Sequence, residues 1–151
     1  MVFEILTGTP EENLEQVWNK IQRSYVGLGS SNQYTTLTIS SFVNPQKPNT
    51  SYPKLSGKGA EIKGLVRPLL SAWGDLTEAN ARNNFVTDAL FNLVDIERLL
   101  HLHRHDCFFS VSSARDLCTA VDGFIGNYTQ LGLAADAAAT WLFSGVPNLL
   151  R

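Results

Sequence analysis

The chain has 151 residues, of which 44% are hydrophobic and 17% charged, and its formal net charge at pH 7 is −2. A chain of this length buries about 70% of its unfolded surface, so we expect one domain over residues 1–151 with a core that needs neither disulfides nor metal. The lysines and arginines are scattered along the chain. Nucleic-acid binding needs a clustered cationic surface, so we expect no nucleic-acid partner.

The cysteines and the lack of long apolar segments indicate where in the cell the protein is expected. No stretch approaches the ~20 apolar residues of a membrane helix, and Glu4 interrupts the only apolar residues at the N-terminus, where no basic residues precede them. Cys107 and Cys118 do not form a disulfide framework in so long a chain. On one helix they would lie roughly 16 Å apart, beyond disulfide reach. We therefore expect two reduced thiols, no membrane partner and a soluble, cytoplasmic protein.

The first predicted helix begins at residues 9–12, Thr-Pro-Glu-Glu. The threonine can cap the helix, proline suits its first position, and the second glutamate completes a capping box with the threonine. Gly27 and Gly29 then predict its end. Between them, one apolar stripe has the spacing of a helix face and consists of Leu14, Val17, Trp18, Ile21, Tyr25 and Leu28.

The next two segments are less regular. Residues 31–43 contain several β-branched residues, which favour a strand, but their spacing also fits a helix face. We expect a short helix there, and the alternative is a two-stranded ribbon with Val2–Leu6. Residues 44–57 carry three prolines and several turn-forming residues, which predict a surface loop and a candidate contact site rather than a domain boundary.

Two longer helices are predicted after this loop. One runs from about Lys58 to Trp73, with a kink at Pro68 and its end at Gly74. The other, expected to be the longest, runs from about Thr77 to His103. Its apolar face is wide, which is typical of a central helix with neighbours on two sides. That face comprises Phe85, Val86, Ala89, Leu90, Leu93, Ile96, Leu99, Leu100 and His103.

The last part of the chain predicts two more helices. A capping-box-like start at Ser113 opens a helix that Gly132 ends, and residues 133–143 form a last, alanine-rich helix. Gly123 and Gly126 would let a neighbouring helix approach closely. The fold class is therefore all-α: a compact bundle of about five main helices with one ambiguous segment at 31–43 and a proline-rich loop.

The densest group of titratable residues lies at residues 97–107, which hold all three histidines of the chain. Residues four apart are neighbours on a helix, so Glu97, His101 and His105 would form a line of one carboxylate and two imidazoles. Zinc accepts such ligands, and these three residues are the candidate metal ligands. The alternative explanation is structural, since histidines near a helix C-terminus interact favourably with the helix dipole.

Two other groups carry weaker chemical signals. The run Ser56-Gly-Lys-Gly-Ala60 opens a helix and resembles an anion cradle, although it lacks the spacing of a P-loop. The second group is a candidate cysteine nucleophile, Cys107 or Cys118, with one of the histidines as its base. Cys118 falls on an apolar stripe, which predicts a core position. Neither group has a motif specific enough to define an enzyme.

The three tryptophans, at 18, 73 and 141, are expected in the core, although an indole N–H also suits the edge of a groove. A low charge content and the lack of a converging catalytic set favour a non-enzymatic helical interaction module or accessory subunit with a protein partner. The alternative is a metal- or thiol-dependent enzyme centred on residues 97–107. A small-ligand pocket lined by aromatic residues is a third hypothesis, and the sequence leaves the oligomeric state open.

Overall fold

The computed structural model describes residues 8–29, 32–42, 55–78 and 80–137. These residues form no strand and four helices: α1 (Pro10–Leu28), α2 (Gly59–Leu76), α3 (Ala81–Leu102) and α4 (Val111–Ala137). The predicted all-α fold is confirmed, with four helices in the described part of the chain instead of about five. None of these helices is long and apolar enough to cross a membrane.

The start and end of α1 follow the sequence prediction. The Thr9 hydroxyl accepts a hydrogen bond from the Glu12 N–H at 3.3 Å, and the Glu12 carboxylate accepts one from the Thr9 N–H at 2.8 Å. This hydrogen bonding lowers the pKa of Glu12 because it stabilises the charged carboxylate. At the other end, Gly29 adopts the left-handed conformation (φ 60°, ψ 29°) that glycine tolerates without a Cβ clash.

The segment between α1 and α2 is mostly irregular. Within residues 32–42 the only helical part is a single 3₁₀ turn, Ile39–Ser41, so the predicted short helix is reduced to one turn. The Ser41 hydroxyl accepts a hydrogen bond from the Thr38 N–H at 3.1 Å, which holds this turn together locally. The alternative ribbon partner, Val2–Leu6, and most of the proline-rich loop lie outside the described residues.

Helix α2 continues two residues beyond Gly74, where the sequence predicted its end. Thr77 explains the longer helix, because both its hydroxyl (2.8 Å) and its N–H (3.1 Å) donate to the carbonyl of Trp73. Pro68 is buried inside α2, and the kink expected there stays a prediction.

The boundaries of α3 and α4 differ from the expectation in three respects. Helix α4 begins at Val111, two residues before the predicted start at Ser113, because the Ser110 hydroxyl caps it by accepting the Ser113 N–H at 3.1 Å. Helix α3 begins at Ala81, because the Asn80 side chain caps it by accepting the Asn83 N–H at 2.9 Å. Helix α4 runs through Gly132 and, with 27 residues against 22 in α3, is the longest described helix. A glycine costs a helix only about 1 kcal/mol, so one glycine did not end it. The rest of the predicted last helix, residues 138–143, lies outside the described residues.

The helices pack in chain order, α1 on α2, α2 on α3 and α3 on α4. Helix α3 therefore has neighbours on two sides, as its wide apolar face predicts. The larger core lies between α1, the segment that follows it and α2, and it consists of Leu14, Val17, Ile21, Tyr25, Tyr34, Leu37, Leu65 and Ala72. A smaller cluster of Trp73, Val86 and Leu90 joins α2 to α3, and Leu131 of α4 packs against it.

The glycines of α4 behave differently from each other. A Cβ on Gly123 would lie 2.9 Å from the amide group of Asn92 in α3, so the two helices do approach closely there. A Cβ on Gly126 would meet nothing within 4 Å, and the close approach predicted at that position is wrong. Together with the packing of Leu131 near Val86 and Leu90, the contact at Gly123 shows that α3 and α4 form an antiparallel hairpin.

Candidate functional site

Of the predicted metal ligands, Glu97 is directed towards α2. Its carboxylate lies 3.8 Å from the Arg67 guanidinium and 4.0 Å from the Lys63 ammonium. Both cations belong to the neighbouring helix, so Glu97 serves as an ion-pair partner across the α2–α3 contact. The sequence pattern could not show this, since α2 and α3 are brought together only by the fold.

The histidines follow the end of α3. Because α3 ends at Leu102, His101 and His105 are not on one continuous helix face. The His101 ring lies 3.1 Å from the Arg104 guanidinium, whereas His103 pairs with Asp106 at 2.7 Å. Within the described ranges, no three histidine, cysteine or acidic side chains are grouped so that they could hold a metal ion. Zinc binding stays a prediction, tested by whether zinc raises the melting temperature.

Both cysteines are free and exposed. The core position predicted for Cys118 is therefore wrong, although the residue does lie on the apolar side of α4. The reason is tertiary: within the described residues no helix packs over that side. Within the described part of the chain neither Cys107 nor Cys118 forms a hydrogen bond with a histidine, so no pair there resembles a nucleophile and its base.

The candidate anion cradle at the start of α2 already faces a carboxylate of the chain itself. Lys58 is the N-cap residue, and its N–H donates to the Glu61 carboxylate at 2.9 Å. A helix N-terminus attracts negative charge, and here Glu61 supplies it. Gly57 is explained by its contact with Tyr34, whose ring a Cβ at this position would meet, whereas a Cβ on Gly59 would meet nothing within 4 Å.

An apolar surface runs along α4 at positions whose spacing in the sequence already fits one helix face, and its exposure is what the structure adds. We call it the open stripe, defined by Ala114, Leu117, Cys118, Val121, Phe124, Ile125 and Tyr128. Ile125 and Tyr128 are 55% and 63% exposed, and Cys118 is also exposed, while the other four are half-buried. Among the described side chains of α4 only Ala120 is buried. Of the described helices, only α3 packs against α4.

The open stripe carries no charge. The charged residues between 111 and 134 are Arg115, Asp116 and Asp122, and the helical spacing of 3.6 residues per turn places all three on other sides of α4. Phe124 and Tyr128 stack on each other within the stripe, with ring centroids 6.1 Å apart. The combination is an uncharged, partly aromatic surface about four turns long.

A second feature is a cavity of about 420 Å³ on the outer edge of the larger core, which we call the α1 cavity. One wall is α1 and the other is the segment around the 3₁₀ turn, and the lining residues are Glu11, Leu14, Glu15, Trp18, Leu37, Thr38, Ile39 and Ser40. Trp18 is half-buried there, as an indole at the edge of a groove is expected to be. The cavity could not be predicted from the sequence, because the segment that forms its second wall is irregular and its position against α1 depends on the fold.

The other tryptophans differ from Trp18. Trp73 is a core residue, 5% exposed, and its indole N–H donates to the carbonyl of Asn83 at 3.4 Å, so the core position predicted for it is confirmed. Trp141 lies outside the described residues. In comparisons with protein families, curated proteins and solved structures, the chain has no match.

Proposed function

We propose that the protein is a non-enzymatic helical interaction module or accessory subunit that binds protein through the open stripe. The observation that carries this proposal is the exposure of Cys118, Ile125 and Tyr128 on the apolar side of a helix. Contiguous apolar surface of this kind typically marks a site of protein contact. The described residues offer no converging set of catalytic groups that would favour the enzyme alternative.

The occupant that the chemistry of the stripe fits best is a second copy of this chain. Ala114, Cys118, Val121, Ile125 and Tyr128 are spaced four, three, four and three residues apart, the spacing by which helices pack side by side. In a two-fold arrangement the same stripe would contact itself. Because the stripe is uncharged, two copies meet there without like-charge repulsion.

The size of the stripe supports a contact with an apolar centre. A covered aromatic or large aliphatic side chain removes on the order of 100 Å² from water when it starts half-exposed. The seven residues of the stripe therefore supply several hundred of the roughly 800 Å² per partner that a stable interface buries. The remaining area would come from residues that surround the stripe.

The test compares Ile125→Asp with Thr119→Asp by sedimentation equilibrium over a range of concentrations. Both positions are exposed and on α4, but only Ile125 belongs to the open stripe. The wild-type chain and Thr119→Asp should dimerise alike, whereas Ile125→Asp should weaken the dimer at least about 100-fold, because an unpaired buried charge costs about 3–5 kcal/mol. A dimer that tolerates Ile125→Asp would place the contact elsewhere.

The two cysteines supply an independent readout in the unmodified chain. Cys118 lies in the open stripe and Cys107 lies in the turn after α3, and both are exposed in the single chain. As concentration rises, maleimide modification of Cys118 should slow while that of Cys107 stays constant. A monomer whose Cys118 reacts freely at every concentration contradicts the proposal. A monomer whose Cys118 is protected shows that another part of the same chain covers the stripe, and also excludes the second copy.

A further inference from the structure

We propose that the α1 cavity binds a small amphipathic amine, that is, an apolar body carrying one ammonium group. The cavity lies on α1, far along the chain from the open stripe on α4, so this proposal does not depend on self-association. Its volume of about 420 Å³ is within the range of about 300–1,000 Å³ in which small-molecule sites fall. The ligand class follows from the lining.

The walls of the cavity are apolar. Leu14 and Leu37 belong to the larger core and are 5% and 6% exposed, and Trp18 and Ile39 pack against that core from outside. These side chains are therefore held in place by the folded core before any ligand arrives. A preformed apolar wall of this kind favours a compact apolar group, since little ordering is needed on binding.

Among the described residues, the rim of the cavity carries negative charge only. Glu11 and Glu15 are one turn apart on α1 and both are exposed, and no described lysine or arginine lines the cavity. Glu11 lies in the first turn of α1, where a carboxylate interacts favourably with the helix dipole. Glu15 is a turn further on, so the dipole does not account for it. Two carboxylates beside an apolar wall select a cationic head group over a neutral or anionic one.

Trp18 adds a second contact suited to a cation. Its ring is held edge-on to Tyr25, with centroids 6.3 Å apart and an angle of 75° between the rings. An ammonium group near an indole face gains cation–π attraction, so Trp18 and Glu15 together can hold the charged end while the body contacts Leu37 and Ile39.

The experiment compares three molecules that share one apolar body: 3-phenylpropylamine, 3-phenylpropanol and 3-phenylpropionate. Binding is followed by the NMR signals of the three tryptophan indoles, assigned with Trp18→Phe. The amine should shift the Trp18 signal and leave that of Trp73 in place. It should bind at least about tenfold more tightly than the alcohol, the ratio expected of one charge-assisted contact, and the carboxylate should bind most weakly.

Two matched variants test whether the carboxylates at the rim cause the preference for the amine over the alcohol. Glu15→Gln should bring the affinity for the amine close to that for the alcohol, whereas Glu78→Gln removes an exposed carboxylate that does not line the cavity and should change nothing. Equal binding of amine and alcohol to the wild-type chain would overturn the assigned ligand class. Absence of a Trp18 shift with the amine, or a shift at Trp73 instead, would overturn the site itself. The dimer measurement is unaffected by either result.

Discussion

The two halves of the described chain use similar amphipathic helices, yet they cover the apolar sides of those helices to different extents. In the first half, α1 buries Leu14, Val17, Ile21 and Tyr25 against the following segment and α2. In the second half, α4 has one buried residue among its described side chains, Ala120. A similar periodicity thus produces a closed core in one place and an open apolar surface in the other. An apolar stripe therefore predicts a contact without identifying the partner.

The closed half includes one polar group that the packing does not satisfy. Tyr25 is 2% exposed, and although the Tyr34 backbone lies near its hydroxyl, no described group forms a hydrogen bond of good geometry with it. Burial raises the pKa of Tyr25, and also that of Tyr34 beside it, because the charged phenolate is disfavoured away from water. Burying an unpaired hydroxyl costs free energy, which the apolar contacts of the same ring offset.

The largest difference in stability is expected between alanine substitutions of two isoleucines, one from each half. Ile21→Ala should lower the free energy of unfolding by about 3–4 kcal/mol, since Ile21 is 1% exposed and its removal leaves a cavity. Ile125→Ala should cost no more than about 0.5 kcal/mol in the monomer, because that side chain is already largely in water. Both losses are measured by urea unfolding at a protein concentration too low for dimers to form. Equal losses at the two positions would contradict the contrast between the halves.

A smaller effect distinguishes the covered and uncovered sides of α4 itself. Gly126→Ala should stabilise the chain by up to about 1 kcal/mol, since alanine is the better helix former and nothing lies within 4 Å. Gly123→Ala should lose this gain, because its Cβ would displace the Asn92 amide, which donates to the Asp88 carbonyl at 2.8 Å. Thermal unfolding of the two variants and the wild-type chain measures this difference in stability. Stabilisation by both substitutions would show that the helices are not in close contact at Gly123.

The helix caps give a third comparison. Thr9→Ala and Ser110→Ala each remove a side chain that accepts a backbone N–H, at the starts of α1 and α4, and each should cost about 1 kcal/mol. Hydrogen exchange should separate them. With Thr9→Ala the first turn of α1 exchanges faster, whereas with Ser110→Ala faster exchange should spread along α4, which has less tertiary packing to hold it. Thr129→Ala, an exposed position on α4, is the control.

The smallest effect is a pH dependence at the start of α1. The pKa of Glu12 is lowered from its usual 4.5 by hydrogen bonds from Thr9. A lowered pKa contributes stability above the unfolded value, and this contribution disappears as the pH falls through the folded value. Glu12→Gln keeps an oxygen acceptor and removes the titration, so acidification below pH 4.5 should destabilise the wild-type chain more than the variant. Parallel stability curves for the two chains would contradict this.

The candidate sites could be predicted from the sequence only in part. Glu97, His101 and His105 were grouped on the assumption that the helix continues to residue 105, but α3 ends at Leu102 and Glu97 turns to cations on α2. The α1 cavity was signalled only by Trp18, since its other wall comes from the irregular segment near Ile39. The apolar spacing of the open stripe, from Ala114 to Tyr128, was visible in the sequence, although its exposure was not.

The sequence was enough to predict the start of α1, at Thr9 and Glu12, and the apolar side of each helix, because caps and stripes depend on residues a few positions apart. The coverage of those apolar sides, the exposure of Cys118, and the contact of Gly123 but not Gly126 with α3 came from the packing of the helices. Coverage depends on helices that are distant in the sequence, and the spacing within one helix holds no information about whether another packs over it.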